Sequence, residues 1–321
     1  MTIPEVSIEE VRRIIGSFSI ESVRNWLKRC ELPSTARSRD ELAAKIHGQI
    51  AKGELTLDGL SVAIIGIEEA SAKRTFLYRV PVSPSTTARI EKQLADLHVT
   101  LSDRPIRTTN PSQTTKVVYV VNSTEGLRAK WTEIHTKIEA DRIKRQFKET
   151  KVPKSIVLII NKMTGLVQLR CDKPEDEHSH PGPNGPTDDA YFAYFREQAE
   201  NLTGLPFEPI DLRTSLEKLL KATPRIIKTS YTVDQSDDGG YTKRAQKQNG
   251  KDVRDLEDWQ QMTKSRTVRT FEESPVHWLK EMSGRELHRE VFSYIYANEG
   301  QVRFDADCYE EEIAYVLSHL V

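Results

Sequence analysis

Apolar positions along this chain change their spacing near residue 76. Before it they recur at helical intervals. Ile8, Val11, Ile14 and Ile15 fall on one face, as do Val23, Trp26 and Leu27, and then Leu42, Ile46 and Ile50. Each run starts at a capping signal: Ser7 with Glu10, Ser19 with Ser22, and Ser38 with Glu41. Pro33 ends the second run, Gly53 closes the third, and Leu55–Ile67 reads as a fourth helix. A small helical bundle is predicted.

From Phe76 the pattern turns to sheet. PVSPST marks a boundary and Thr86–Leu97 reads as a short helix on Ile90, Leu94 and Leu97. HVTLSD and TTKVVYVVNS then read as strands, rich in Val, Thr and Tyr. The centre of the chain is Lys154–Val233. Its apolar runs SIVLII and LVQL flank Thr164-Gly165 as one strand pair, DKPEDEHSHPGPNGPTDD is a solvated loop, and Asp188 or Asp189 caps a helix with Tyr191, Phe192, Phe195 and Ala199 inward. Pro209–Arg213 is a short strand or its approach, Thr214–Lys221 a helix, and Arg225–Val233 a strand. Residues 127–150 fit two patterns: Leu127, Trp131, Ile134 and Ile138 match a helix, whereas Ile134, Thr136, Ile138 and Ala140 alternate as in a strand. Length favours the helix. Near the end, VRTFEES reads as a strand, REVFSYIYANEGQVRFD as a hairpin turning at Asn298–Gly300, and CYEEEIAYVLSHL as a helix.

These elements describe an α+β fold: an N-terminal helical bundle, a mixed β-sheet domain with helices, and a C-terminal hairpin and helix. The expected divisions are a helical domain over residues 1–80, the mixed sheet domain over 84–233, a flexible basic linker over 234–255, and a C-terminal hairpin and acidic helix over 256–321 packed on the sheet domain. The linker assignment rests on DQSDDGGYTKRAQKQNGKD, which is polar, glycine-bearing and without apolar spacing.

Composition sharpens the picture in one respect. Of 321 residues 37% are hydrophobic and 30% charged, and the net charge is only −1. The charge is unevenly placed: residues 127–154 carry nine Lys/Arg against four Asp/Glu, 221–269 carry eleven against seven, and 270–321 carry four against eleven. A local basic face is therefore compatible with a neutral total. Cys30, Cys171 and Cys308 form no CxxC pair, the N-terminus has no apolar leader, and no stretch approaches a membrane span. An intracellular protein of the cytoplasm, nucleoid or nucleus, with no membrane partner, is expected.

Catalytic signatures are sparse. Cys171 with His178, His180, Asp172, Asp176, Asp188 and Asp189 is a metal candidate by residue type, but zinc sites want close ligand pairs on rigid turns, and an acidic solvated loop explains these residues better. Glu149-Thr150-Lys151 has the acidic-x-Lys spacing of a metal-dependent nuclease, yet it is expected before the strand, and SIVLIINK brings no acid. GxSxG, Walker, GxGxxG and HExxH patterns are missing. Cys30 lies at the basic end of a helix, which would lower its pKa, although a packed thiol is the simpler expectation. No catalytic residue, metal or cofactor is assigned.

Basic residues beside aromatics are more informative, because cations neutralise phosphate and aromatic faces stack bases. Trp131 and Phe147 flank the first basic segment, and Tyr231 and Tyr241 bracket the second. The candidate DNA contacts are Arg24, Lys28, Arg29, Arg37 and Arg39 in the helical half, with Lys144, Arg145, Lys148, Lys151, Lys154, Arg225 and Lys228 in the other. SIESVRNWLKRCELPSTARSRDELAAKI resembles the helix, Leu-Pro turn and basic helix start of SAP-type DNA-binding motifs. In element order, FSIESVRNWLKRC, RSRDELAAKIHGQI and LTLDGLSVAIIG, followed by RIEKQLADLHVTLSD, TTKVVYVVN, KSIVLIIN and PIDLRTSLEKLLK, resemble the centromere protein N family, known in yeast as the Chl-four kinetochore family. That resemblance implies a pyrin-like helical domain before an α/β domain, with DNA held in the basic groove between them. A prokaryotic relative would meet plain DNA or a partner subunit in a genome-defence system. The expected function is non-catalytic binding of double-stranded DNA through its backbone, within a larger assembly that brings a protein partner or further copies of the chain. The rivals are a protein-interaction or self-assembling subunit that does not touch DNA, and a metal-dependent nuclease.

Overall fold

A computed structural model describes residues 7–16, 19–70, 72–106, 115–141, 146–174, 181–182, 185–186, 188–236, 239–244, 252–257, 259 and 270–321. Four helices come first: α1 (Ile8–Ile15), α2 (Ile20–Arg29), α3 (Arg39–Ala51) and α4 (Leu57–Ala70). The serine caps form as their spacing predicts. Ser7 Oγ accepts the Glu10 N–H at 3.2 Å, Ser19 Oγ that of Ser22 at 3.0 Å, and Ser38 Oγ that of Glu41 at 3.1 Å. Each such cap contributes about 1 kcal/mol. Val11, Ile15, Val23, Leu27, Leu42, Ile46, Leu60 and Ile64 pack into one core, which Tyr309 from the far end of the chain also joins.

The rest is an antiparallel sheet with helices on its faces. In chain order it comprises β1 (Arg74–Arg79), α5 (Pro84–Asp96), β2 (Lys116–Asn122), β3 (Gly126–Asp141), β4 (Gln146–Asn161), β5 (Leu166–Cys171), the short pair β6 (Pro181–Gly182) and β7 (Gly185–Pro186), α6 (Asp188–Thr203), β8 (Glu208–Pro209), α7 (Arg213–Lys221), β9 (Ile227–Thr229), β10 (Tyr231–Ser236), β11 (Gly239–Arg244), β12 (Thr270–Trp278), β13 (Val291–Tyr296), β14 (Gln301–Phe304) and α8 (Glu310–Ser318). Twelve strands join in the order β11-β10-β12-β13-β14-β1-β5-β4-β3-β2, with β8 added on β1 and β9 on β12. The fold is α+β.

Strand β1 sits in the middle of the sheet, between β5 and β14. Alternation along it assigns its two faces. Leu77 joins the core with Leu216, Trp278, Ile295, Phe304 and Val316 from α7, α8 and β12–β14. Tyr78 joins a second core with Ile90, Leu94, Tyr191, Phe195 and the strands β2–β5. The β4–β5 hairpin turns where the sequence places it. Gly165 has φ +71°, and a Cβ there would lie 2.3 Å from the Val80 carbonyl oxygen, so only glycine fits.

Several expectations are corrected. The helix expected over 127–150 does not form: residues 127–141 belong to β3 and 146–150 to β4, and the Leu127, Trp131, Ile134 spacing was helical by coincidence. Both faces of β3 are covered near its start, so its sequence lacks the clean polar alternation of a one-sided strand. HVTLSD is not a strand; the Ser102 N–H merely donates to the Val120 carbonyl at 2.8 Å. The strand expected over 225–233 is divided into β9 and β10, and β10 pairs with β11, so residues 234–236 and 239–244 of the expected linker are sheet. The helical domain expected to reach residue 80 stops at Ala70, because β1 belongs to the sheet. The 256–321 segment supplies three strands of the same sheet.

Candidate nucleic-acid interface

Strands β3 and β4 each have 16 residues, far more than their neighbours use. β2 pairs with β3 only as far as Thr132, and β5 pairs with β4 only as far as Ile156. Beyond that, nine cross-strand pairs, from Glu133↔Lys154 to Asp141↔Gln146, join β3 to β4 alone among the described residues. At about 3.3 Å per residue the result is a two-stranded arm about 30 Å long. Lys137, Ile138, Glu149, Lys151 and Pro153 on it are exposed.

Buried polar groups fix the arm at its base. Glu133 and His135 are both buried, with the carboxylate 2.5 Å from His135 Nε2. Thr115 Oγ1 donates to the same carboxylate at 2.8 Å, and the Tyr191 ring from α6 lies edge-on to His135 at 5.7 Å. Burial alone would raise the Glu133 pKa, but the hydrogen bonds from His135 and Thr115 prevail and hold it below the usual carboxylate value. On the neighbouring strand, buried Lys73 Nζ donates to Ser155 Oγ and to Asp172 Oδ1, both at 2.6 Å, and the Ser155 N–H donates to Asp172 Oδ2 at 2.7 Å. A base with its polar groups matched in this way sets the direction of the arm.

The candidate DNA contacts fare unequally. Lys148, Lys151 and Lys154 all lie on β4 within the arm, opposite Glu139, Thr136 and Glu133 in register. Lys144 and Arg145, in the connection between the two strands, lie outside the described residues. Arg225 is bound to Asp255 at 2.5 Å. Lys228 is exposed on β9, six strand spacings across the sheet from β4, on the order of 30 Å at about 4.8 Å per strand. The structure therefore does not bring Arg225 and Lys228 into one patch with the arm.

The helical half spends part of its charge internally. Arg29 pairs with Glu311 at 2.9 Å, and its guanidinium stands 4.1 Å from the centroid of the Tyr309 ring. Tyr309 in turn donates its hydroxyl to the Ser22 carbonyl at 2.9 Å, so this contact clamps α2 to the start of α8. Arg24 is half-buried, with Nε enclosed and without a hydrogen-bond partner. Lys28, Arg37 and Arg39 are exposed. A cleft of about 340 Å³ lies at this junction, lined by Trp26, Arg29, Cys30, His288, Tyr309 and Glu310 among others. With carboxylates on its walls and Arg29 already paired, it is not the uniformly basic groove that the family resemblance implies.

Arg128 and Lys130, counted with the basic segment, turn out to face acids of the bundle. Arg128 bonds Glu69 at 2.6 Å, fully buried Lys130 bonds Glu68 at 2.8 Å, and the Tyr119 hydroxyl donates to Glu69 at 2.7 Å. Arg170 grips Glu310 through two hydrogen bonds of 2.7 Å. Sequence reasoning missed this network, since Glu68-Glu69 ends an apolar helix with nothing local to pair with.

The alternative chemistries are also placed. Glu149 and Lys151 lie within β4 and not before it, as expected from the sequence, and they share a face. Their register partners are Ile138 and Thr136, so the neighbouring strand offers no second carboxylate. Cys171 is buried in β5, with burial raising its pKa, while His178 and His180 lie outside the described residues. Among the described residues no group of His, Cys, Asp and Glu is arranged to hold a metal ion. Cys30 is exposed and not packed, and partial burial raises its pKa where a basic neighbourhood was expected to lower it. Among the described residues no helix is long and apolar enough to cross a membrane. Neither the models of known protein families nor the curated proteins searched give a match to this sequence.

Proposed function

We propose that this chain binds double-stranded DNA without catalysing a reaction, with the β3–β4 arm as its main contact. The observation that carries this reading is the arm itself: nine pairs that no other strand covers among the described residues, bearing Lys148, Lys151 and Lys154 on one strand. The sequence adds Arg142, Lys144 and Arg145 between the two strands. A two-stranded ribbon matches the major groove, which is about 12 Å wide. Lysines on such a ribbon meet phosphates, which gives affinity with little sequence preference and a steep salt dependence.

The test is anisotropy of a labelled linear duplex, titrated at rising salt with the wild type and with Lys148→Ala/Lys151→Ala/Lys154→Ala. The expected result is affinity that falls steeply with salt and a shallower slope in the triple variant. Affinity indifferent to salt, or a triple variant that binds like wild type, removes the proposal.

A second reading is self-assembly through the same arm. It is favoured by Ile138, which is 42% exposed there, and by ribbon edges that are open to pairing among the described residues. Light scattering during size-exclusion chromatography at low and high salt separates the two: an oligomer that Ile138→Lys dissolves, with no duplex binding, selects assembly.

A further inference from the structure

Alternation divides the β3–β4 arm into two faces. On one, Glu133 and His135 are buried beside Tyr191 of α6, and Lys154 is the register partner of Glu133. The other carries three successive cross-strand pairs, Ile134↔Pro153, Thr136↔Lys151 and Ile138↔Glu149. Ile134 and Thr136 are half-buried there, and Ile138, Glu149, Lys151 and Pro153 are exposed. Among the described residues neither Glu149 nor Lys151 has an ion-pair partner. They stand two residues apart on β4, so the face sets an anion and a cation about 6.6 Å apart along the strand, with Ile138 and Pro153 at its two ends.

That order is complementary to itself. A two-fold axis that lies in the contact plane, across the arm at the level of Thr150, turns a second copy of the face end for end. Lys151 of each copy then meets Glu149 of the other, and Ile138 of each meets Thr136 of the other. A different partner would need the same charges in reverse order, which a second copy supplies by symmetry. We propose that this face of the arm packs on the same face of a second copy, and that copies joined in this way hold two DNA duplexes together. The inference rests on the reading of the arm as a DNA contact: the two-fold turns the faces that carry Lys154 away from each other, so each copy keeps its own duplex. The described part of the face spans five residues of each strand, about 17 Å by 10 Å, or about 170 Å² per copy. A stable complex buries about 800 Å² per partner, so a single contact is weak. Several copies lined up on two duplexes make such contacts in parallel, and avidity of this kind gains about 10²- to 10⁴-fold over one contact. Charge order decides which partner is accepted more than it adds affinity, because like charges brought together are costly.

The experiment fixes a long biotinylated duplex to beads, saturates it with the full chain, and measures capture of a second, fluorescent duplex. Each variant is used at the concentration that saturates a single duplex in anisotropy, so that differences in DNA affinity drop out. Wild type is expected to capture the second duplex. Glu149→Lys and Lys151→Glu each bring like charges together twice in the contact, and each is expected to lose most of the capture. The double exchange Glu149→Lys/Lys151→Glu restores opposite charges by symmetry and is expected to recover it. A double exchange that captures no better than the single ones overturns the proposal. Capture by Glu149→Lys equal to that of wild type points to a second DNA site on one copy and overturns it as well. Wild type that saturates a single duplex and captures no second one strikes this inference alone, whereas a chain that binds no duplex strikes the reading of the arm and the inference together.

Discussion

Arg128 and Lys130 at the start of β3 and Lys148, Lys151 and Lys154 along β4 belong to one basic stretch of sequence, and the fold gives them opposite tasks. The first two meet carboxylates of α4 inside the junction between bundle and sheet, where Lys130 and Glu69 are fully buried. The other three lie on an arm that no other strand covers among the described residues. A buried cation needs a partner close by and is then unavailable to a ligand, whereas Lys151, exposed on the arm, keeps its field for whatever approaches. Net charge of a segment is therefore a poor guide to binding until burial is known.

The largest expected effect lies on the buried side of this comparison. Glu69→Ala takes from Arg128 its nearest carboxylate and from the buried Tyr119 hydroxyl its acceptor, leaves Lys130 with Glu68 alone, and should cost on the order of 3 kcal/mol, read from urea unfolding. A loss below about 1 kcal/mol would show that water reaches the junction and would break the contrast. On the arm, the triple lysine variant should lose about tenfold or more in duplex affinity. Its log-log salt slope should fall by about one for each lysine that meets a phosphate.

Acid should loosen the junction and the base of the arm. Burial raises Glu133 and Glu310, yet His135 and Thr115 on one, and Arg170 and Arg128 on the other, bring both below the ordinary value of 4.5. A depressed carboxylate contributes stability above its unfolded pKa and loses it as pH falls through its folded one. Stability should thus be level from neutral pH down to about 5 and decline below 4.5, and Glu133→Gln should flatten part of that decline in thermal melts. The smallest effect belongs to Arg225→Ala. Its pair with Asp255 is solvent-exposed, so about 0–1 kcal/mol of stability and no change in duplex affinity are expected. A marked loss of affinity there would mean that the second basic segment takes part after all.

The candidate site was legible in part. The crowding of lysines before the SIVLII run was visible in the sequence and proves to be one strand of the arm. That the arm exists was not visible, because its register partner, β3, imitates a helix over Leu127, Trp131, Ile134 and Ile138. The distribution of Arg29 and Arg225 into ion pairs was equally hidden, since Glu311 and Asp255 are remote in sequence from them. On β13 the alternation of Phe292, Tyr294 and Tyr296 with Val291, Ser293 and Ile295 was a local signal. It was read as part of a hairpin, and only the packing of α7 and α8 decides that Val291, Ser293 and Ile295 are the buried side.

What the chain determines by itself is local. Serine caps and 3.6-residue spacing fix α1, α2 and α3, alternation with Gly165 at the turn fixes β4 and β5, and the Asn298–Gly300 turn fixes β13 and β14. These signals act within a few residues of backbone, and here the tertiary context agrees with them. The tertiary structure decided the central place of β1, the reach of β3 and β4 beyond their described neighbours, and the pairing of Arg128 and Lys130 with acids of α4. Strand pairing and ion pairing between remote residues depend on contacts that no short window contains. The same lysine is a strut or a handle according to what the fold brings against it.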